Sequence, residues 1–232
     1  MYIGFDIHLK HMKKICQILL TVLLLISIPH NSFGQSNEIK IRFIGNCGLY
    51  MTDQNLNVYV DFPYQSGAHK YMEYDKSELD SIKENSVFIF THRHTDHYSK
   101  KLVKKLKGKI YGNWNVAELD KLNSINQNFS IQAFRTSHKF TFKHYSYLIT
   151  WHNKKIYISG DTGDTGPVSQ IDNIDWVFAP FWLYRNAKEE NIIIDTKMFG
   201  IYHLYPFQKI GDGFPENVHF MTKQNEVISV PY

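Results

Sequence analysis

Thr91-His92-Arg93-His94-Thr95-Asp96-His97 places four candidate metal-ligating side chains within six residues, directly after the apolar run Val87-Phe88-Ile89-Phe90. A short unbroken apolar run followed by polar chain reads as a buried strand, so the four groups occupy a loop at a strand end. In extended chain, side chains two apart share a side. His92 and His94 can therefore grip one ion while Asp96 and His97, beyond a bend, point toward a second. Imidazole and carboxylate suit zinc and similar divalent ions, and a core burying them without partners would be strongly destabilised. An exposed polar loop with chance histidines is the competing explanation. The strand before the loop and a helix cap after it, at Ser99, count against it.

Outward from this loop, β-branched and aromatic residues predict strands at Ile39 to Ile44, Val58 to Phe62, Val87 to Phe90, Ile131 to Phe134, Tyr145 to Trp151, Lys155 to Ser159 and Trp176 to Ala179. Asn153 and Lys154 read as a tight turn that pairs two of these as a hairpin. Helices are expected at Ser77 to Glu84, Ser99 to Leu106, Val116 to Lys121 and in a segment from Lys188 to Phe199, with Ser77 and Ser99 as N-caps. No linker, low-complexity tract or repeat interrupts the chain after Glu38. Short β-rich and amphipathic segments alternate throughout, as in a single mixed α and β domain.

The whole chain agrees with one domain: 232 residues at 43% hydrophobic content support one sizeable core and are too few for two ordinary domains. The N-terminus stands apart. Met12, Lys13 and Lys14 precede an apolar stretch from Ile18 to Ile28, and Ser32 and Gly34 supply small residues two positions apart. This is a signal-peptide pattern with a cut before Gln35, and the stretch is short for a membrane span. The expectation is a leader over residues 1–34 and an exported hydrolase domain over 35–232, periplasmic or secreted. A retained anchor is the alternative, and Met12 is a second possible start. Removing three lysines and one aspartate with the leader takes 26 basic and 22 acidic residues to 23 and 21, a net +2. That is no nucleic-acid signature. Cys16 lies in the leader, which leaves Cys47 without an intramolecular partner; it reads as a small buried residue.

The segment HRHTDH resembles the signature of the metallo-β-lactamase superfamily, His, any, His, any, Asp, His at a strand end. The resemblance implies a four-layer αββα sandwich, two mixed β-sheets flanked by helices. It also implies further ligands in order along the chain. His138, before the Tyr145 hairpin, matches the next histidine, with His144 the competitor inside the strand. Asp161, in Ser159-Gly160-Asp161-Thr162-Gly163, matches the bridging carboxylate; Asp164 reads as a turn or cap residue. His203 matches the last histidine, with His219 the alternative. Asp61 resembles an aspartate that supports the metal loop, although a turn residue before proline fits it nearly as well. By this carry-over His92, His94 and His138 hold one ion and Asp96, His97 and His203 the other. Asp161 stands between them, and Asp96 doubles as the candidate catalytic carboxylate. The cofactors implied are two divalent ions, zinc foremost, with manganese or iron also accommodated.

Such a site implies hydrolysis of an ester, lactone or phosphodiester bond in a small molecule. The implied nucleophile is a water between two dications, which ionises near neutral pH. The Ser-Gly-Asp-Thr-Gly block looks most like the sugar-phosphate lactonase branch, but Asn46 stands where many of that branch have histidine. The best-known exported zinc β-lactamases carry cysteine where this chain has Asp161, so β-lactam hydrolysis is the lesser expectation. Transfer-RNA-processing members add a long basic arm that is missing here. A protein that kept the fold and lost turnover, binding only metal or ligand, is the alternative from another class. Phe181, Trp182 and Tyr184 could wall a substrate pocket or simply pack in the core. Lys100, Lys101, Lys104 and Lys105 fit a solvated helix face better than an anion site.

Overall fold

Val87–Phe90 forms a strand, β4, with all four side chains buried. It is flanked by parallel neighbours on both sides. Its residues alternate between two cores: Val87 and Ile89 face one, Phe88 and Phe90 the other. A strand covered on both faces needs no polar side, which is why its sequence is unbroken apolar. This computed structural model describes residues 37–232 apart from 125 and 126. The expected leader, Cys16 and the question of the start lie outside the described residues.

Residues 37–232 build two six-stranded sheets. The first holds β1 (Glu38–Gly45), β2 (Gly48–Thr52), β3 (Asn57–Val60), β4, β5 (Lys109–Gly112) and β12 (Val227–Pro231), in the order β12-β1-β2-β3-β4-β5. The second holds β6 (Phe129–Thr136), β7 (His144–Trp151), β8 (Lys154–Ile158), β9 (Ile174–Pro180), β10 (Thr196–Tyr202) and β11 (Val218–Phe220), in the order β11-β10-β9-β8-β7-β6. Each mixes antiparallel and parallel pairs. Ile39, Ile41, Leu49, Val58 and Ile89 of the first sheet share a core with Ile149, Trp151, Ile156, Ile158 and Phe178 of the second. The outer faces are covered by short helices. Leu79 of α1 (Ser77–Asp80) and Val103 of α2 (Lys100–Val103) join Phe88 and Phe90. Val168 of α4 (Gly166–Ser169) and Leu183 and Tyr184 of α5 (Phe181–Glu189) join Tyr157 and Val177. The expected four-layer αββα sandwich of two mixed sheets is therefore the architecture, with helices shorter than anticipated. α3 (Asp120–Asn123) places Leu122 in the inter-sheet core.

Several elements depart from expectation. The segment Lys188 to Phe199 is not a helix: α5 starts at Phe181, Asn191 turns the chain at φ 54° and Thr196–Tyr202 is a strand between β9 and β11. Asparagine tolerates that left-handed geometry and so stops the helix. The hairpin turn is His152–Asn153, at φ 48° and 62°, and Lys154 already pairs with Trp151. Both central residues in the left-handed region is the geometry that matches strand twist. Ser99 precedes α2 as expected, whereas Lys76 takes the N-cap of α1 and the Ser77 hydroxyl donates to Asp75. β2, β5, β10 and β12 were not anticipated.

Candidate metal centre

The start of the loop after β4 is pinned by β7 of the opposite sheet. Thr91 C=O accepts from Tyr145 N–H of β7 at 3.1 Å, and the Tyr147 hydroxyl donates to Phe90 C=O at 3.0 Å. The bend is a tight turn in which His97 and Tyr98 N–H both donate to His94 C=O, at 3.0 and 2.8 Å. It reverses the chain between His94 and Asp96. Asp161 follows β8 through Gly160 at φ 61°, and His203 follows β10 at φ 60°. Strand ends thus deliver the distant groups to one place.

Those groups form two clusters. The ligand atoms of His92, His94 and His138 lie within 4.8 Å of one another, as do those of Cys47, His97, Asp161 and His203. His138 Nε2 is 3.3 Å from His94 Nδ1 and 3.8 Å from Asp161 Oδ2. Asp161 Oδ1 is 3.0 Å from His97 Nε2, and Asp161 Oδ2 is 3.0 Å from His203 Nε2. His203 Nε2 also lies 3.1 Å from Asp96 Oδ2. All seven residues named as ligands from the sequence are brought together, with Asp161 touching members of both clusters.

Protons can be assigned from the hydrogen bonds. Thr91 Oγ1 donates to Asp61 Oδ2 at 2.7 Å, so the 3.0 Å contact with His92 Nδ1 requires that nitrogen to carry the hydrogen. His92 Nε2 is then a bare lone pair, buried and without a hydrogen-bond partner. His97 Nδ1 donates to Asp61 Oδ2 at 2.8 Å, and its Nε2 is likewise buried with no hydrogen bond, being close to Asp161 but out of line. An outer nitrogen held by a partner and an inner nitrogen left open is the arrangement of metal-binding histidine. The donor set fits divalent ions. His144 differs. Its Nε2 accepts from Asp161 N–H at 3.0 Å, so Nδ1 carries the hydrogen toward Thr136 Oγ1 at 2.7 Å. Both nitrogens are used, and His144 serves as a fixed strand residue.

Electrostatics follow the same division. Burial pushes His92 well below the ordinary histidine range, His144 to about 3, and His138 downward. These rings are neutral, the form that binds a cation. Burial also opposes charge on His97 and His203, but Asp161, together with Cys47 and Asp61 at His97 and with Asp96 at His203, outweighs it and raises both. Asp161 in turn is held well below the carboxylate range: burial opposes this, and His203 and His97 prevail. Asp96 is lowered in the same way by His203. Two buried carboxylates thus demand compensating positive charge.

Asp61 is both a turn residue, at φ 48°, and the acceptor for Thr91 N–H, Thr91 Oγ1 and His97 Nδ1. Asp164 caps the next turn, accepting from Gly166 N–H at 3.0 Å. His219 pairs with Glu226 at 2.9 Å instead of joining the clusters. Trp182 donates to Asp161 C=O at 3.0 Å and stands edge-on to His203, while Phe181 and Tyr184 pack in the outer core. Sequence reasoning missed Cys47 and Tyr71, which stands edge-on to His203 with ring centroids 4.1 Å apart. A cleft of about 910 Å³ opens beside the clusters, bordered by His138, Lys139, Asp161, Trp182, Arg185 and Asn186. Its size is that of a small-molecule site.

No protein-family model matches the chain, and no curated protein matches it. Solved structures do. A protein from Parabacteroides distasonis ATCC 8503, provisionally called a metal-dependent hydrolase, is 21% identical, with 80% of this chain and 94% of that one covered at TM-score 0.58. The metallo hydrolase Igni18 from Ignicoccus hospitalis KIN4/I is 12% identical, covering 84% and 99% at TM-score 0.60. YhfI from Bacillus subtilis, a metallo-β-lactamase fold protein, is 16% identical, covering 83% and 100% at TM-score 0.55. At these identities the likeness is one of fold.

Proposed function

We propose that this chain, which has the metallo-β-lactamase fold, is a metal-dependent hydrolase that cleaves an ester, lactone or phosphodiester bond in a small molecule. The observation that carries this is the pair of adjoining clusters, with buried imidazole nitrogens left open toward a shared carboxylate. His92, His94 and His138 would hold one divalent ion, Asp96, His97 and His203 a second, and Asp161 would serve both. Such ions would polarise the scissile carbonyl or phosphoryl group and acidify water at the site. The chain's own groups do the rest. Asp61 and Thr91 fix the tautomers of His92 and His97. Asp96, kept ionised, presents an anionic carboxylate beside the second position and is the proposed catalytic carboxylate. Trp182 lends the cleft an apolar wall, and Lys139 and Arg185 offer charge for an anionic group on the substrate. The leader-like N-terminus supports an exported, periplasmic or secreted setting.

The test is a panel of lactone, ester, phosphodiester and β-lactam substrates, assayed on the purified chain with chelator, zinc or manganese. Turnover that requires metal is expected. His94→Ala should lower it by more than the ~10–100-fold typical of changes outside the ligand shell, with the circular dichroism of the fold retained. Bound metal with no turnover on any substrate would favour the non-catalytic binding protein.

A further inference from the structure

The turn between β1 and β2 carries a side chain the ligand set above does not use. Cys47 is buried, with Sγ 3.9 Å from Asp161 Oδ1. Its Sγ lies within 4.8 Å of the ligand atoms of His97, Asp161 and His203. Donors around a tetrahedral zinc stand about 3.3–3.8 Å apart, given bonds of about 2.0–2.3 Å, so the thiol at 3.9 Å from Asp161 Oδ1 lies just outside ligand spacing and a small inward shift would bring it there. Asn46, the residue before Cys47, is fastened to the site twice. Asn46 Nδ2 donates to Asp96 C=O at 2.9 Å, and Asn46 C=O accepts from His203 N–H at 3.1 Å. The open His97 Nε2, wholly buried, is an independent sign that this cluster meets an ion.

We infer that Cys47 is a ligand of the second metal position, which makes it a mixed nitrogen, oxygen and sulfur site that favours zinc or iron(II) over manganese. Sulfur donors select softer ions, and manganese prefers oxygen. Binding converts the thiol to a thiolate and releases its proton to solvent. The inference rests on the metal-centre reading proposed above and adds to it a donor and a metal preference.

The experiment reconstitutes the full chain carrying Cys16→Ser, so that Cys47 is the sole thiol, with cobalt(II) and separately with zinc. A thiolate-to-cobalt absorption band in the near ultraviolet is expected, together with a sulfur scatterer at about 2.3 Å in zinc-edge X-ray absorption. Adding Cys47→Ser should remove the band, weaken zinc at one position by about 10-fold or more and narrow the preference for zinc over manganese. Two bound ions without sulfur in either spectrum would overturn the role of Cys47 and leave the metal centre standing. Absence of any bound ion would overturn both. Should Cys47→Ser fail to fold, the zinc-edge spectrum of the chain with Cys47 intact decides alone.

Discussion

Asp61 shows how one side chain orders a site it does not face. Its carboxylate accepts from Thr91 N–H, Thr91 Oγ1 and His97 Nδ1 at 2.7–2.8 Å, and through Thr91 it also dictates the tautomer of His92. Replacing it by asparagine keeps the volume but swaps one acceptor oxygen for a donor, which faces a donor. Asp61→Asn is expected to weaken zinc binding about 10–100-fold and to cost about 1–3 kcal/mol of stability, read by calorimetric zinc titration and urea unfolding. Unchanged zinc affinity would show that the tautomers are set elsewhere. At this scale HRHTDH was legible because dense ionisable groups after a buried strand have few other uses. His138 and His203 were legible only by their order along the family pattern, and proximity separates each from its competitor: His144 has both nitrogens engaged and His219 pairs with Glu226. Cys47 carried no such mark, since its nearness to Asp161, 114 positions away, exists only in the folded chain.

Between strand and loop, Gly160 is the position where the backbone itself constrains the site. It sits at φ 61°, and an added Cβ would lie 2.6 Å from His144 Nε2 and 2.8 Å from Thr91 Cβ. Both neighbours are buried, so neither can swing clear. Gly160→Ala is therefore expected to destabilise the protein by about 2–4 kcal/mol, combining left-handed strain with overpacking, and to loosen Asp161 next to it. Denaturant unfolding measures the first effect, and a change below about 0.5 kcal/mol would show that the segment relaxes freely. Elements were readable where one cause dominated. β4 is an apolar run covered on both faces, and β7 and β8 are rich in β-branched and aromatic residues, so their positions follow from that. β5 is four residues with an exposed lysine, and β10 follows a run of isoleucines whose spacing suits helix and strand alike. The helices α1 to α4 are each a single turn, too short for a 3.6-residue period to declare itself.

Across the whole molecule, two sheets pack a common apolar core and leave their strand ends to supply polar groups from sites far apart in sequence. Burying Asp96, Asp161, His97 and His203 together is costly unless a cation joins them. Metal should therefore act on folding as well as on chemistry. Zinc at 100 times its dissociation constant is expected to add about 2.7 kcal/mol per site, seen as a rise in thermal midpoint that chelator reverses. The central claim, that these seven side chains hold a pair of ions, is tested most directly by titrating the metal-stripped full chain with zinc and counting the ions taken up at saturation. Two per chain, falling to one or none in Asp161→Ala, is the predicted result. A chain that binds no zinc, or that binds it equally well in Asp161→Ala, would contradict the account.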